Sequence, residues 1–129
     1  MRRRGRAILI VVAALLTACA QEPVAPAGLM EVAERPAEKA LLAGIRAYED
    51  AQYEQAEGQL KSALRIGLAS GRDRAAAHKH LAFIYCTSDR GADCEAEFRA
   101  ARAADPAFAL SRSEAGHPLW GPVYKRVQP

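Results

Sequence analysis

The sequence predicts an all-α protein behind a short N-terminal leader. From about residue 36 the chain is rich in alanine and poor in β-branched residues, which favours helices over strands. Its apolar residues recur at spacings of three and four, the period of a helix with one buried face. Glycine and proline cluster between these stretches, where helices would end. Residues 36–129 are therefore predicted to form one small helical domain.

Residues 1–18 have the features of a lipoprotein signal peptide. Four arginines precede an uncharged apolar run over residues 7–16, which is too short to span a bilayer. The run ends in Leu16-Thr17-Ala18-Cys19, which resembles a lipobox. We therefore expect cleavage before Cys19 and covalent diacylglycerol and N-acyl lipid on that residue, with no other cofactor. The alternative is an uncleaved anchor with an incidental cysteine.

Cleavage would leave a nearly neutral chain. The precursor carries a net charge of +3 from 18 basic and 15 acidic residues. The signal holds four of the basic residues and none of the acidic ones, which leaves 14 basic against 15 acidic residues. This balance gives no electrostatic basis for binding nucleic acid. Contact with a membrane is therefore expected only through the lipid anchor.

Residues 19–35 are predicted to be the lipidated cysteine and a flexible tether, because proline, alanine and glycine mix there without a helical stripe. Alanine, not aspartate, follows Cys19. By resemblance to proteobacterial lipoproteins, that residue favours sorting to the outer membrane. The lipid would then hold the domain on the periplasmic face.

The first predicted helix pair occupies residues 36–66. Pro36 suits the first position of a helix, where its missing N–H group costs nothing. Apolar residues then follow at helical spacing as far as Glu49, and a break at Ala51–Tyr53 leads into a second helix that continues to Ile66. Two amphipathic stretches with a short break between them predict a helical hairpin.

The second pair follows a loop predicted at Gly67–Asp73. The third helix carries apolar residues as far as Tyr85 and breaks at Ser88–Gly91. The fourth runs from about residue 92 to residue 104, where Asp105-Pro106 ends it, because a residue before proline is disfavoured in a helix.

Both pairs resemble the tetratricopeptide repeat, a helix-turn-helix unit of 34 residues. The second pair matches the family pattern at Leu81, Ala82, Tyr85, Cys94, Phe98, Ala101 and Pro106. The first pair matches it at Gly44, Tyr53, Ala56, Leu60, Ala63 and Leu64 but has Ala47 where an aromatic residue is usual. The resemblance implies about two repeats, with small residues that let paired helices approach closely. The alternative is an unrelated four-helix bundle.

The C-terminal segment is predicted to be a capping helix. Leu119, Trp120, Val123, Tyr124 and Val127 repeat at helical spacing and would give one apolar face. Two repeats alone bury little surface, so this face is expected to cover the open end of the second repeat. The alternative is that Trp120 and Tyr124 dock onto another protein.

A partner-binding face follows from the repeat resemblance, because the first helix of each pair lines a concave surface in that family. The equivalent positions are Leu41, Ile45, Tyr48, Glu49, Lys79 and Phe83, with Thr87 at the end. So short a groove suits a single helix or an extended segment of a protein partner. The alternative is that the segment around Leu29, Met30 and Val32 covers this face.

Cys86 and Cys94 are the only cysteines left once Cys19 is lipidated. In an oxidising compartment they are predicted to form a structural disulfide. A zinc site is disfavoured because His78 and His80 face different sides of a helix and no C-x-x-C motif occurs. A redox-active pair would be expected at closer spacing.

No nucleophile elbow, phosphate loop or carboxylate pair suited to catalysis occurs in the sequence, so we predict a protein that is not an enzyme and holds no metal. The segments 80–86 and 114–124, above all His117-Pro118-Leu119-Trp120-Gly121-Pro122, resemble the small lipoproteins associated with type VI secretion, the TssQ family. The resemblance covers about residues 37–127. It implies an accessory role beside a secretion-system component. The alternatives are a pilotin-like or envelope-assembly lipoprotein serving a pilus or secretin, and an enzyme of the cell wall.

Overall fold

The computed structural model describes residues 35–129. The predicted signal peptide, Cys19, the tether and Leu29, Met30 and Val32 lie outside the described residues. Of the described residues 73% are helical and none is in a strand, which confirms the all-α prediction. No helix of this part is long and apolar enough to cross a membrane. The helices are α1 (Pro36–Glu49), α2 (Tyr53–Ile66), α3 (Gly71–Thr87), α4 (Gly91–Ala104), α5 (Arg112–Ala115) and α6 (Gly121–Arg126).

Two helical hairpins form the body of the domain. Helix α1 packs along α2, and α3 packs along α4. Helix α3 also contacts both α1 and α2, so the first helices of the two hairpins lie side by side. The short helix α6 packs against α4, and α5 packs against α6. The C-terminal segment therefore closes the open side of the second hairpin.

The two hairpin turns have the same backbone geometry. Ala51 and Asp89 both have positive φ, 59° and 56°, a conformation that residues other than glycine adopt rarely. In each turn the next residue donates its backbone N–H to the carbonyl five residues back, at 2.8 Å in the first turn and 2.9 Å in the second. Ala51 and Asp89 are 38 residues apart, as are Gly44 and Ala82. The hairpins are therefore two copies of one local structure.

Close packing within each hairpin depends on small side chains. Ala56 and Ala63 of α2 are fully buried, and so is Cys94 of α4. Gly44 of α1 lies against Leu60, and a Cβ atom at this glycine would come within 2.8 Å of Leu60 Cγ and 3.1 Å of its backbone N. Because that backbone cannot move away easily, α1 and α2 are in contact at a distance that only glycine permits.

The substitutions Gly44→Ala and Gly58→Ala are expected to change stability in opposite directions. Gly58 lies inside α2 with open space around a potential Cβ atom. Alanine there should raise the free energy of unfolding by about 0.5–1 kcal/mol, because glycine is a poor helix former. Alanine at Gly44 should lower it by about 1–3 kcal/mol by overpacking. Urea denaturation followed by circular dichroism measures both, and equal effects would contradict the close approach at Gly44.

A polar network joins the two hairpins around Glu57 of α2. Its carboxylate accepts hydrogen bonds from Tyr85 Oη at 3.1 Å and from Arg90 Nη1 at 3.2 Å. The Arg90 guanidinium lies 3.9 Å from the centre of the Tyr85 ring. The side chain of Lys61 also donates to Glu57. Tyr85 is otherwise buried, so the network satisfies its hydroxyl at the boundary between α2 and α3.

Two boundaries differ from the sequence prediction. The loop predicted at Gly67–Asp73 is shorter, because α3 already begins at Gly71. The Ser70 hydroxyl caps that helix by accepting a hydrogen bond from the Asp73 backbone N–H at 3.3 Å. A Cβ atom at Gly71 would lie 2.4 Å from the Ala104 carbonyl oxygen, so the start of α3 touches the end of α4.

The predicted single capping helix is also wrong in detail. The segment forms two short helices, α5 and α6, with a turn at residues 118–120 between them. The turn rotates Leu119 out of the predicted stripe and leaves it 53% exposed, whereas Trp120, Val123, Tyr124 and Val127 are buried. The sharp return is possible because Gly121 lies against the Ala115 carbonyl oxygen, 2.5 Å from a potential Cβ atom.

Candidate protein-binding face

The six residues predicted for the partner-binding face lie on α1 and α3 with unequal exposure. Leu41 and Phe83 are buried, at 6% and 3% exposure, and belong to the core. Ile45, Tyr48 and Lys79 are half-buried, and Glu49 is exposed. The surface at these positions is therefore narrower than the sequence pattern predicts.

Tyr48 joins the two hairpins across this face. Its ring lies 5.3 Å from His80 in an edge-on contact and 6.2 Å from Phe83, both on α3. It also lies 5.6 Å from Tyr53 at the start of α2, which is 46% exposed. Leu42, 52% exposed, stands on α1 at the position equivalent to His80, 38 residues earlier. Together Leu42, Ile45, Tyr48, Tyr53 and His80 form a partly exposed apolar surface, here named the aromatic face.

His80 and Tyr48 are uncharged at neutral pH. Burial lowers the pKa of His80, although its Nδ1–H donates to the Ala76 carbonyl oxygen at 2.8 Å. Burial also raises the pKa of Tyr48, with a further rise from Tyr53 and Glu114. The aromatic face therefore favours apolar and hydrogen-bonding contacts over an ionic one.

The C-terminal segment covers the α3 end of the predicted face. The Trp120 ring stacks on Phe83, with the centroids 4.2 Å apart and the planes at 24°. Lys79 Nζ donates to Glu114 Oε1 at 2.8 Å and lies 5.7 Å from the centre of the Phe83 ring. Two of the predicted binding residues, Lys79 and Phe83, are thus in contact with residues of the same chain.

Glu114 organises the covering segment. Its second carboxylate oxygen accepts the Ser111 N–H at 2.8 Å, and the Ser111 hydroxyl accepts the Glu114 N–H, which is a capping box. The Glu114 carbonyl oxygen accepts Trp120 Nε1–H at 2.8 Å, and His117 stacks flat on the indole at 3.3 Å. The segment is therefore held in shape largely by its own hydrogen bonds.

Tyr124 packs on the opposite side of the C-terminal region, against α4. Its ring lies 5.4 Å from Phe98 and 6.3 Å from Phe108. Its hydroxyl accepts the Leu110 backbone N–H at 3.1 Å. Trp120 and Tyr124 both pack inward, which is the arrangement that a cap requires.

Glu114→Gln is expected to lower the free energy of unfolding by about 0.5–1.5 kcal/mol at pH 7. Burial alone would raise the pKa of Glu114, but the hydrogen bonds from Lys79 and from the Ser111 backbone outweigh it and lower that pKa. A carboxyl group whose pKa is lowered by folding stabilises the fold above its unfolded pKa, and the contribution is lost as the pH falls through the folded pKa.

The difference between the two proteins should therefore be full at pH 7 and shrink below about pH 4.3, the ordinary value for a glutamate. Thermal melting between pH 7 and pH 3 measures it. The exposed residue Glu54 supplies a control, since Glu54→Gln should change stability by at most about 0.5 kcal/mol at any pH in this range. A Glu114→Gln effect that does not depend on pH would contradict the ion pair with Lys79.

Cys86 and Cys94 are bonded in the structure, with the sulfur atoms 2.01 Å apart and the Cα atoms 5.1 Å apart. The bond links the end of α3 to the start of α4. The equivalent positions of the first hairpin are Tyr48 and Ala56. His78, the other residue considered for zinc, pairs with Glu97 of α4 at 2.6 Å. Within residues 35–129 no group of three or more potential metal ligands occurs.

Sequence reasoning brought Tyr48 and Phe83 to one face correctly, but it did not include His80, Leu42 or Tyr53. The 38-residue spacing could have identified the first two, since Leu42 and His80 occupy equivalent positions of the repeat. Comparison of the chain with protein-family models, with curated proteins and with solved structures finds no match.

Proposed function

We propose that this chain is a membrane-anchored adaptor lipoprotein whose two tetratricopeptide-like repeats hold a protein partner in the cell envelope. One observation carries the proposal: α1 and α3 lie side by side and present a single partly exposed aromatic face. Three of its rings, those of Tyr48, Tyr53 and His80, form a contiguous group. Aromatic side chains with an apolar body and a polar tip are typical anchors of protein interfaces.

The repeat identity is supported by the identical turns at Ala51 and Asp89. It is supported further by the small residues at the closest contacts of each hairpin, Gly44 with Leu60 in the first and Ala82 with Cys94 as the buried counterparts in the second. A helix pair repeated with a fixed offset is the defining feature of such arrays. The four extra residues over the usual period fall in the connection between α2 and α3.

The anchoring part of the proposal rests on the lipobox-like sequence that ends in Cys19. Lipid on this cysteine would hold the domain at the periplasmic face of an outer membrane. A tether of about 16 residues could reach at most some 50 Å from it. In that position a small adaptor can keep a partner near the membrane without entering the bilayer.

We further propose that the partner is a component of a type VI secretion system. The support is the resemblance of residues 114–124 to the lipoproteins associated with that apparatus. These residues include Glu114 and Trp120, which cover α3. The sequence motif that carries the resemblance and the surface proposed for binding are therefore in direct contact.

The test is an affinity purification of the full chain, tagged after Pro129, from detergent-solubilised membranes of its own bacterium. Tyr48→Asp places a charge on the aromatic face, and Ile66→Asp places one on an equally exposed apolar residue of α2. Mass spectrometry should identify secretion-system proteins with the wild type and with Ile66→Asp, but not with Tyr48→Asp. Recovery of pilus or secretin components instead would replace this assignment with the pilotin-like one.

Cys19→Ser is the control for the anchor. The protein should then leave the membrane fraction and fail to incorporate labelled fatty acid, while its domain keeps the helical circular dichroism spectrum. Retention of label or of membrane association would contradict the lipid anchor.

A further inference from the structure

The segment of residues 111–120 lies where a partner would bind. It contacts α3 through two side-chain pairs, an ion pair between Glu114 and Lys79 and a ring stack between Trp120 and Phe83. A buried aromatic anchor beside a charged contact is the combination that dominates the affinity of many protein interfaces. Here both halves of the combination come from one chain.

The segment and the helix that follows it are attached to different parts of the domain. Residues 111–120 contact α3 through Glu114 and Trp120, whereas α6 packs against α4 and inserts Tyr124 beside Phe98. The Trp120 indole N–H and the Ser111 N–H are satisfied inside the segment. Separation of the segment from α3 would therefore leave these two donors paired, so it breaks few hydrogen bonds.

The contacts with α3 are also modest in number and partly open to water. The side chains of Lys79 and Glu114 remain 23% and 29% exposed, and an ion pair in contact with solvent contributes little to stability. Beside Lys79 a groove of about 480 Å³ continues between α3 and residues 105–109, lined in part by Ala76 and Phe108. The covered surface is thus continuous with an open one.

We infer that residues 111–120 are an internal ligand, which occupies the α3 part of the binding face until a protein segment of similar chemistry displaces it. That segment would carry a carboxylate for Lys79 and an aromatic ring for Phe83. This inference rests on the proposed adaptor function and specifies its partner. Binding would then depend on the fraction of molecules in which the face is free, so a weaker internal contact gives a tighter external one.

The probe is a fluorescently labelled peptide of residues 111–125 of this chain, added to the purified full-length protein. Fluorescence anisotropy measures its affinity for the wild type and for Trp120→Ala. The peptide should bind Trp120→Ala at least about ten times more tightly than the wild type, since the internal competitor has lost its anchor. Equal affinities, or no binding to a folded Trp120→Ala protein, would overturn the inference.

A charge exchange identifies the site. Adding Lys79→Glu to Trp120→Ala should weaken peptide binding at least about tenfold. A peptide with Glu114→Lys should recover most of that loss on the same receptor. Ile66→Ala, on the exposed surface of α2, is the matched control and should leave the affinity unchanged. Binding that is indifferent to both charges would show that the peptide does not occupy the Lys79 site.

A second measurement applies to the unaltered protein and does not depend on the folding of any variant. Trp120 is the only tryptophan of the chain, so its emission reports its own environment. A peptide with Trp120→Phe, which is silent in this assay, should shift the emission of the wild type to the red as the indole leaves Phe83. No shift at any soluble peptide concentration would overturn displacement, while the adaptor function would stand or fall separately on the affinity purification.

Discussion

Phe98→Ala is expected to lower the free energy of unfolding by about 3–5 kcal/mol, a large part of the stability of a domain of this size. Phe98 is fully buried at the centre of the second hairpin. Its ring lies 6.1 Å from Phe83 of α3 and 5.4 Å from Tyr124 of α6. The substitution therefore leaves a cavity where the second hairpin and the C-terminal cap meet, and both lose packing at once.

Urea denaturation of the purified protein, followed by far-ultraviolet circular dichroism, measures the change. Phe98→Leu keeps most of the side-chain volume and should cost only about 1–1.5 kcal/mol. Leu119→Ala removes an exposed apolar side chain a few residues from the cap and should stay within about 0.5 kcal/mol of the wild type. If Phe98→Ala and Leu119→Ala have similar effects, the cap does not pack on the second hairpin as described.

The helices of the body could be predicted because their signals are local. Pro36 begins α1, Asp105 and Pro106 end α4, and the breaks near residues 51 and 89 occur where predicted. Each of these depends on the conformational preference of one or two residues, which the sequence displays directly. The start of α3 was misplaced by two or three residues because the capping role of Ser70 was overlooked.

The C-terminal region could not be predicted in the same way, because its structure depends on contacts between distant residues. Lys79 and Glu114 are 35 residues apart in sequence, and nothing in the periodicity of either helix indicates that they pair. The stripe that included Leu119 assumed one continuous helix. The turn before Gly121 interrupts it, and the reason is a close contact with the Ala115 carbonyl oxygen that only the folded structure shows.

The same difference in range explains the binding face. Positions on α1 and α3 followed from the repeat pattern, so Tyr48 and Phe83 were placed together correctly. Whether such positions are open depends on what covers them, and burial is a property of the whole fold. Phe83 illustrates this, because the residue that buries it, Trp120, lies 37 positions further along the chain.

Loss of the bond between Cys86 and Cys94 is expected to lower the free energy of unfolding by about 2–3 kcal/mol. The two residues are eight positions apart, so the bond closes a short loop and restricts the unfolded chain. The double variant Cys86→Ala and Cys94→Ala is the suitable test, since the first hairpin has Ala56 at the position of Cys94 and packs without a bond there. Alanine at both sites also avoids burying an unpaired thiol or hydroxyl.

The redox dependence separates the bond from the packing of the sulfur atoms. In urea denaturation the wild type should lose most of the 2–3 kcal/mol when dithiothreitol is added, whereas the alanine double variant should not respond. Alkylation and intact-mass measurement of protein recovered from the periplasm should find no free thiol. Two free thiols there would contradict the disulfide, and an equal response of both proteins to the reductant would show that the stability comes from packing alone.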